Sequence, residues 1–384
     1  MIIKGVKAKS IKDSRKEPTI EVTINTNVGK FSSTAPNGKS KGKYEAKSYN
    51  KSLVKDIDSL GKISDYFSEE HIEKFEDLRR IEDVAKGHIG ANTLFAFESA
   101  VLKAISKEQK KEIWQIINPE AKKFPHFVGN SIGGGLHSNA NKKPDFQEFL
   151  LIPDSNSPTK NQKINLESKE KLKYLLKKKD LKFGEKKNDE NAWVTSLNEK
   201  EVLEILNQLG IPLGVDVATS SFYKRKKYHY KNPPLDRTKE EQLMYLKNLI
   251  KNYNLFYIED PFDEEDFESF SKLLKIFPNS LIVGDDLTVT NYKRLEKAIE
   301  MKSINAIIVK PNQNGSLIDV SRVVELAKKK NIKTIFSHRS GETKEDILAD
   351  LAFGFQSDFI KCGITGPERE AKIKRLIQIE KKLK

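Results

Sequence analysis

The run FYIEDP at residues 256–261 is followed by IVGDD at 282–286, IIVKPN at 307–312, IFSHR at 335–339 and FIKCG at 359–363, and is preceded by GVDV at 214–217. Each is a short apolar stretch that closes on a polar or charged side chain. Asp216, Glu259, Asp285, Lys310, His338 with Arg339, and Lys361 therefore stand at successive strand ends. Each run is followed by enough chain for a helix, and spacings of roughly 23 to 45 residues suit a repeated strand-plus-helix unit. That rhythm predicts an α/β fold of the β/α-barrel kind, in which the carboxyl ends of the strands form the reactive face. One charge after a buried strand reads equally well as a loop residue. Three carboxylates followed in order by Lys, His-Arg and Lys read as chemistry.

Composition sets the frame around this barrel. At 384 residues the chain exceeds one ordinary core, which predicts two domains or a barrel with an extension. With 37% hydrophobic and 32% charged residues it reads as a soluble globular protein without low-complexity tracts or an internal repeat. The net charge of +14 invites a nucleic-acid reading, but the lysines are scattered on predicted helices with acids between them. A solvated basic surface is the expectation, with no specific nucleic-acid partner. Cys362 stands alone, which excludes an intramolecular disulfide, and the opening MIIKGVKAKS has no apolar signal core. No apolar run reaches the length of a membrane span, so the expected location is cytoplasmic.

Towards the amino terminus, Ile2 to Ser10, Thr19 to Thr26 and Lys30 to Thr34 alternate in polarity between turn-rich residues, which predicts a small antiparallel sheet. From about Ser52 to Ile117 the period becomes helical, with Leu94, Phe97, Val101 and Ala104 on one face. The expected organisation is an α+β capping domain over residues 1–120 and a catalytic barrel over 121–384. FPHFVGNSIGGG at 124–135 opens the barrel, and its three glycines mark close backbone approach, positive φ or a plain turn.

The strand-end residues suggest a division of labour. Asp216, Glu259 and Asp285 are hard oxygen donors on neighbouring strands, a set suited to magnesium. Lys310 follows on the next strand, where metal cations and Lys361 would disfavour its charged form and make it a base. His338, Arg339 and Ser340 suit a phosphate, through a guanidinium fork and a hydroxyl. Earlier, His137 and the pair Gln147-Glu148 flank a long loop, and NDENAW at 188–193 carries Asp189 and Glu190. Two glutamates and a lysine would place acid and base on opposite sides of a substrate. Gly38-Lys39-Ser40 ends like a phosphate-binding P-loop, but Ser33 stands where its first glycine belongs and no clear helix follows, so that reading is rejected.

The whole chain resembles the enolase family, as a divergent member of archaeal type. The segments KDSRKEPTIEV, PNGKSKGKYEA, HIGANTLFAFESAVLKA, GGGLHSNANKKPDFQEFLLIP, YIEDPFDEEDFESF, VGDDLTVTN, IIVKPNQNGSL, SHRSGETKEDILADLAFG and KRLIQIE match enolase segments in order. The resemblance implies a magnesium-dependent lyase of glycolysis and gluconeogenesis that interconverts 2-phosphoglycerate and phosphoenolpyruvate. It implies two magnesium ions, one structural and one catalytic. Asp216, Glu259 and Asp285 would hold the first, and Ser40 would help hold the second. Lys310 would take the C2 proton, and Glu190 paired with Glu148 would assist departure of the C3 hydroxyl. Arg339 and Ser340 would grip the phosphate with His338 beside them, Lys361 would contact the carboxylate, and His137 and Gln147 would complete the site. A homodimer or larger homo-oligomer is also implied.

Departures from the family pattern gather in the loops. Asn191-Ala192 replace glycines, Val194-Thr195 replace Ala-Pro, and Lys39 and Lys41 replace small residues. Lost glycines would alter loop closure and the placement of Glu190. Two alternatives therefore stand beside the enolase reading: a divergent lyase acting on another 2-phospho or 2-hydroxy acid, and a non-catalytic enolase-like binding protein.

Overall fold

The computed structural model describes residues 1–39, 42–68 and 70–384. Three antiparallel strands, β1 (Ile3–Lys12), β2 (Pro18–Thr26) and β3 (Gly29–Thr34), form the amino-terminal sheet, each close to its expected span. The helix Ala91–Gln109 packs against β2 and β3, burying Phe97, Val101 and Ala104 completely, while Leu94 remains partly buried. Asn92 of that helix accepts from Asn312 at 2.9 Å, and Glu98 accepts from the Leu317 N–H at 2.7 Å. These bonds seat the amino-terminal layer on the segment 312–317, which follows a strand of the larger sheet.

That sheet contains β4 (His126–Gly133), β5 (Glu148–Leu151), the short β6 (Trp193–Val194) and β7 (Leu213–Asp216). A small separate antiparallel sheet of β8 (Tyr223–Lys224), β9 (Lys227–Lys231) and β10 (Pro234–Arg237) interrupts it. The main sheet resumes with β11 (Tyr257–Glu259), β12 (Leu281–Gly284), β13 (Ala306–Val309), β14 (Lys333–Ser337) and β15 (Phe359–Lys361). Pairing of β15 with β4 closes an eight-stranded barrel, and all six of the quoted runs supply strands to it. Pairing is parallel except at β5, which runs antiparallel to both β4 and β7.

Period-two alternation explains why the strand-end charges converge. Tyr257, Val283, Ile308, Ile335 and Phe359, with Val128 and Leu150, form a distinct apolar cluster, while Ile258, Ile282, Ile307, Phe336 and Ile360 belong to the larger core outside it. Glu259, Asp285, Lys310 and Lys361 each lie two residues beyond a member of the first cluster and therefore share its face. The hydrocarbon layer beneath the polar ends contributes about 2 kcal/mol per buried side chain. Gly214 is required in this layer, because a Cβ there would lie 2.8 Å from Tyr257 Cβ.

Candidate active site

A cavity of about 270 Å³ opens at the carboxyl ends of the parallel strands. Its wall includes every site residue expected from sequence except Glu259 and Ser40. Glu259 is fully buried. Ser40 lies outside the described residues.

Two ammonium groups organise the carboxylates. Lys361 Nζ lies 2.9 Å from Asp216 Oδ2, 2.8 Å from Glu259 Oε2 and 3.2 Å from Glu148 Oε2. Lys310 donates instead to Asp285. The three carboxylates expected to share a cation are thus divided between two lysines. Asp285 also keeps acidic company with Asp260 and Asp286, one donor atom from each lying within 4.8 Å of the others. Asp260 also accepts from the N–H groups of Asp285 and Asp286 at 2.9 and 2.7 Å, fixing the start of the loop after β12.

The donor chemistry fits a hard divalent cation. Asp285 Oδ1 is buried without a hydrogen-bond partner among the described residues. Burial raises the Glu259 and Asp260 carboxyls, and the charges of Asp216 on the first and Asp286 on the second push the same way. Such an accumulation of mutually repelling oxygens is relieved by positive charge.

Lys310 departs from expectation. Burial works to lower its pKa, but the Asp285 and Glu259 carboxylates together raise it overall. The reason is direct contact with one of the carboxylates expected to bind metal.

Across the cavity, His137 Nδ1 lies 3.2 Å from Glu148 Oε1 and 3.7 Å from Glu190 Oε1. Glu190 also accepts from Asn130 Nδ2 at 2.9 Å, and His338 Nε2 lies 3.8 Å from it. The two glutamates are driven apart in acidity. Burial and the Glu190 charge raise Glu148; burial would raise Glu190 too, but His338, His137 and Arg369 overcome it and hold Glu190 well down. Burial opposes protonation of His137, yet Glu190 and Glu148 raise it overall. His338 moves the other way, pushed well down by burial and Arg369. Gln147 Nε2 reaches Asp216 Oδ2 at 3.5 Å, at the edge of hydrogen bonding.

The glycines before His137 serve close approach. A Cβ on Gly134 would lie 2.3 Å from the Phe146 carbonyl oxygen, and Gly135 has φ +44°. They allow the chain to fold back so that Gly134 N–H bonds Gln147 O at 2.9 Å, setting His137 beside Glu148.

Arg339 meets Glu45 in a bidentate pair, and its own N–H donates to Glu342 at 3.1 Å. Arg369 supports the turn from behind, donating to the Arg339 and Ser340 carbonyls at 2.7 and 2.8 Å. Ser340 Oγ accepts from the Lys39 N–H at 2.8 Å, joining the early loop to this turn. Sequence reading missed Glu45, Asn130, Asp260 and Arg369. Glu45 lay within the quoted KYEA and Asp260 within IEDP, but nothing local distinguishes either from a solvated acid.

Comparison with known proteins covers both layers of the molecule. The family model for the enolase N-terminal domain matches residues 3–117, and that for the enolase C-terminal TIM barrel domain matches residues 121–384. An enolase of Methanosphaera stadtmanae is 37% identical over 408 residues, spanning 100% of this chain and 97% of the relative. An enolase of Methanothermobacter thermautotrophicus is 35% identical over 406 residues, with coverage of 100% and 97%. A third, from Pyrobaculum aerophilum, is 36% identical over 389 residues, with coverage of 94% and 91%. With both domains matched and relatives aligned across nearly their full lengths, the chain belongs to the enolase family.

Proposed function

We propose that this protein is a working enolase, a hydro-lyase that interconverts 2-phosphoglycerate and phosphoenolpyruvate. The observation that carries the reading is the opposition, across one cavity, of Lys310 to the His137–Glu148–Glu190 group. A proton next to a carboxylate is very weakly acidic, so its removal requires a positioned base and concentrated positive charge. Lys310 is that base, acting once Asp285 no longer holds its ammonium. Glu190 is the acid at the C3 hydroxyl, with Glu148 and His137 as the neighbouring proton store. Pairs of titratable groups driven apart in this way suit acid and base work; the handling of enolase-superfamily chemistry by a lysine base and magnesium is a known pattern rather than one deduced from this geometry.

Arg339 and Ser340 hold the phosphate beside His338, with Gln147 lining the opposite wall. Lys361 contributes positive charge to the substrate carboxylate. Asp216, Glu259 and Asp285 hold the first of two magnesium ions and Ser40 helps hold the second. When bound, magnesium neutralises the substrate carboxylate and the extra charge that develops on it. We further assign the domain boundary to residue 120, a homodimeric or larger assembly and a cytoplasmic location. Among the described residues no helix is long and apolar enough to cross a membrane. The two alternatives are not favoured, since the expected polar residues line one cavity and full-length relatives carry the name enolase.

The test is the ultraviolet absorbance of phosphoenolpyruvate formed from 2-phosphoglycerate, followed with magnesium and after chelation. Magnesium-dependent product formation is expected. Absence of product with magnesium present would overturn the enolase reading and leave both alternatives standing.

A further inference from the structure

The helix Pro158–Lys179 buries Asn161, Asn165, Lys169, Leu172 and Leu176, residues that recur at three- and four-residue spacing. Lys169 thus occupies an inward position in a lysine-rich helix, with only 3% of its surface exposed. Its ammonium donates to the Asn191 carbonyl and, at 2.5 Å, to Thr365 Oγ1. It also lies 5.7 Å from the centroid of the Trp193 ring. Among the described residues no carboxylate forms an ion pair with it. Burial holds its pKa down to about 8, Lys187 presses the same way, and Glu170 and Glu370 only partly oppose them. A charge buried without an acidic partner is an expensive way to fill a core, and a well-packed apolar side chain would serve stability as well or better.

Its two partners explain why the charge is there. Asn191 directly follows Glu190, in a loop that Asn188 organises by accepting the Glu190 and Ala192 N–H groups at 2.9 Å each. Asn191 adopts φ +60°, and Gly366 gives it room: a Cβ on that glycine would lie 2.3 Å from Asn191 Nδ2. Thr365 lies four residues beyond Lys361, in the segment leaving β15. Lys169 therefore ties the loop bearing the acid to the strand bearing the ammonium that faces Asp216 and Glu259.

We propose that Lys169 is a positioning residue for the dehydration half of the reaction, fixing the Glu190 loop against the β15 exit through the Asn191 carbonyl and the Thr365 hydroxyl. The inference rests on the reading of Glu190 as the acid. Lys310 belongs to a different part of the barrel, so proton removal at C2 does not depend on this tie.

The experiment compares the magnesium-loaded wild-type protein with Lys169→Met, Thr365→Val and Glu190→Gln. Two rates are measured on 2-phosphoglycerate: exchange of the C2 proton with solvent deuterium by NMR, and formation of phosphoenolpyruvate. Because small misplacements of a catalytic group are costly, Lys169→Met is expected to slow dehydration by about tenfold or more while exchange and KM stay within about twofold. Thr365→Val is expected to lower the same ratio by about threefold. Parallel loss of both rates, or of neither, in Lys169→Met overturns the proposal. If that variant does not fold, Thr365→Val decides: a lowered ratio of dehydration to exchange supports the tie, and an unchanged ratio removes it. Glu190→Gln separates the two levels of the argument. If it dehydrates normally, the acid assignment fails and the proposal falls with it; if it loses dehydration while the other variants are normal, only the role of Lys169 is lost.

Discussion

Arg339 and Glu45 face each other fork to fork, with Nη1 2.8 Å from Oε1, Nη2 3.0 Å from Oε2, and both side chains 3% exposed. The guanidinium assigned to the phosphate is therefore already engaged by a carboxylate from the amino-terminal part of the chain. Removing one member of such a buried pair leaves the other charge uncompensated. Glu45→Gln is expected to destabilise the ligand-free protein by about 3 kcal/mol. A bound phosphate supplies replacement charge, so 2-phosphoglycerate with magnesium should raise the variant's Tm by more than it raises the wild type's. Equal ligand-induced shifts would mean that the phosphate does not meet Arg339.

The two sides of the cavity should separate kinetically. Lys310→Ala is expected to abolish exchange of the C2 proton with deuterium, since no second base is assigned to that side. Glu190→Gln keeps the size of the acid but cannot deliver its proton, so dehydration should collapse while exchange partly survives. Wild-type exchange in Lys310→Ala, followed by NMR, would remove Lys310 from the role of base.

Glu199 provides a pH test away from the chemistry. Burial lifts its carboxyl from 4.5 to about 7, and the Asp145 N–H that it accepts at 2.8 Å only partly opposes the shift. Its folded pKa is raised, so the associated stability is fully present below the unfolded value and is lost as pH rises through about 7. Glu199→Gln removes this titration while retaining an acceptor. Between about pH 5 and about pH 8, the stability of the variant relative to wild type should improve by roughly 2 kcal/mol. A constant difference in urea unfolding would show that Glu199 titrates alike in both states.

Lys39 and Asp189 join the early loop to the acid-bearing loop across 3.7 Å, each about one-third exposed (34% and 33%). An ion pair so open to solvent contributes about 0.5 kcal/mol and is screened by salt. Lys39→Ser should therefore change kcat/KM by less than about threefold, and the difference should vanish in about 0.5 M potassium chloride. A larger change that survives salt would give Lys39 a direct part in substrate binding.

The barrel was readable because its signal is local. An apolar run ending in a charged group carries both strand identity and active-face position, and all six quoted runs became barrel strands. Direction is less readable, since period-two alternation looks the same both ways. Glu148 begins the antiparallel β5 and reaches the active face from the opposite end of its strand. Arg369 and Lys169 were hidden for a different reason. PEREAKIKR and LESKEKLKYLL read as solvated helix faces, and only the fold reveals that Arg369 is 1% and Lys169 3% exposed. The pairing of Lys310 with Asp285 was equally unreadable, because it depends on side-chain reach between neighbouring strands.

The grip of Arg369 on the Arg339 and Ser340 carbonyls has a consequence for the order in which the protein matures. Arg369 belongs to the helix Pro367–Leu383, whereas the turn it holds is synthesised about thirty residues earlier. On the ribosome, the barrel strands through β14 can emerge and pair while that turn still lacks its rear support. Phosphate affinity should arise only once the helix Pro367–Leu383 has left the exit tunnel and docked.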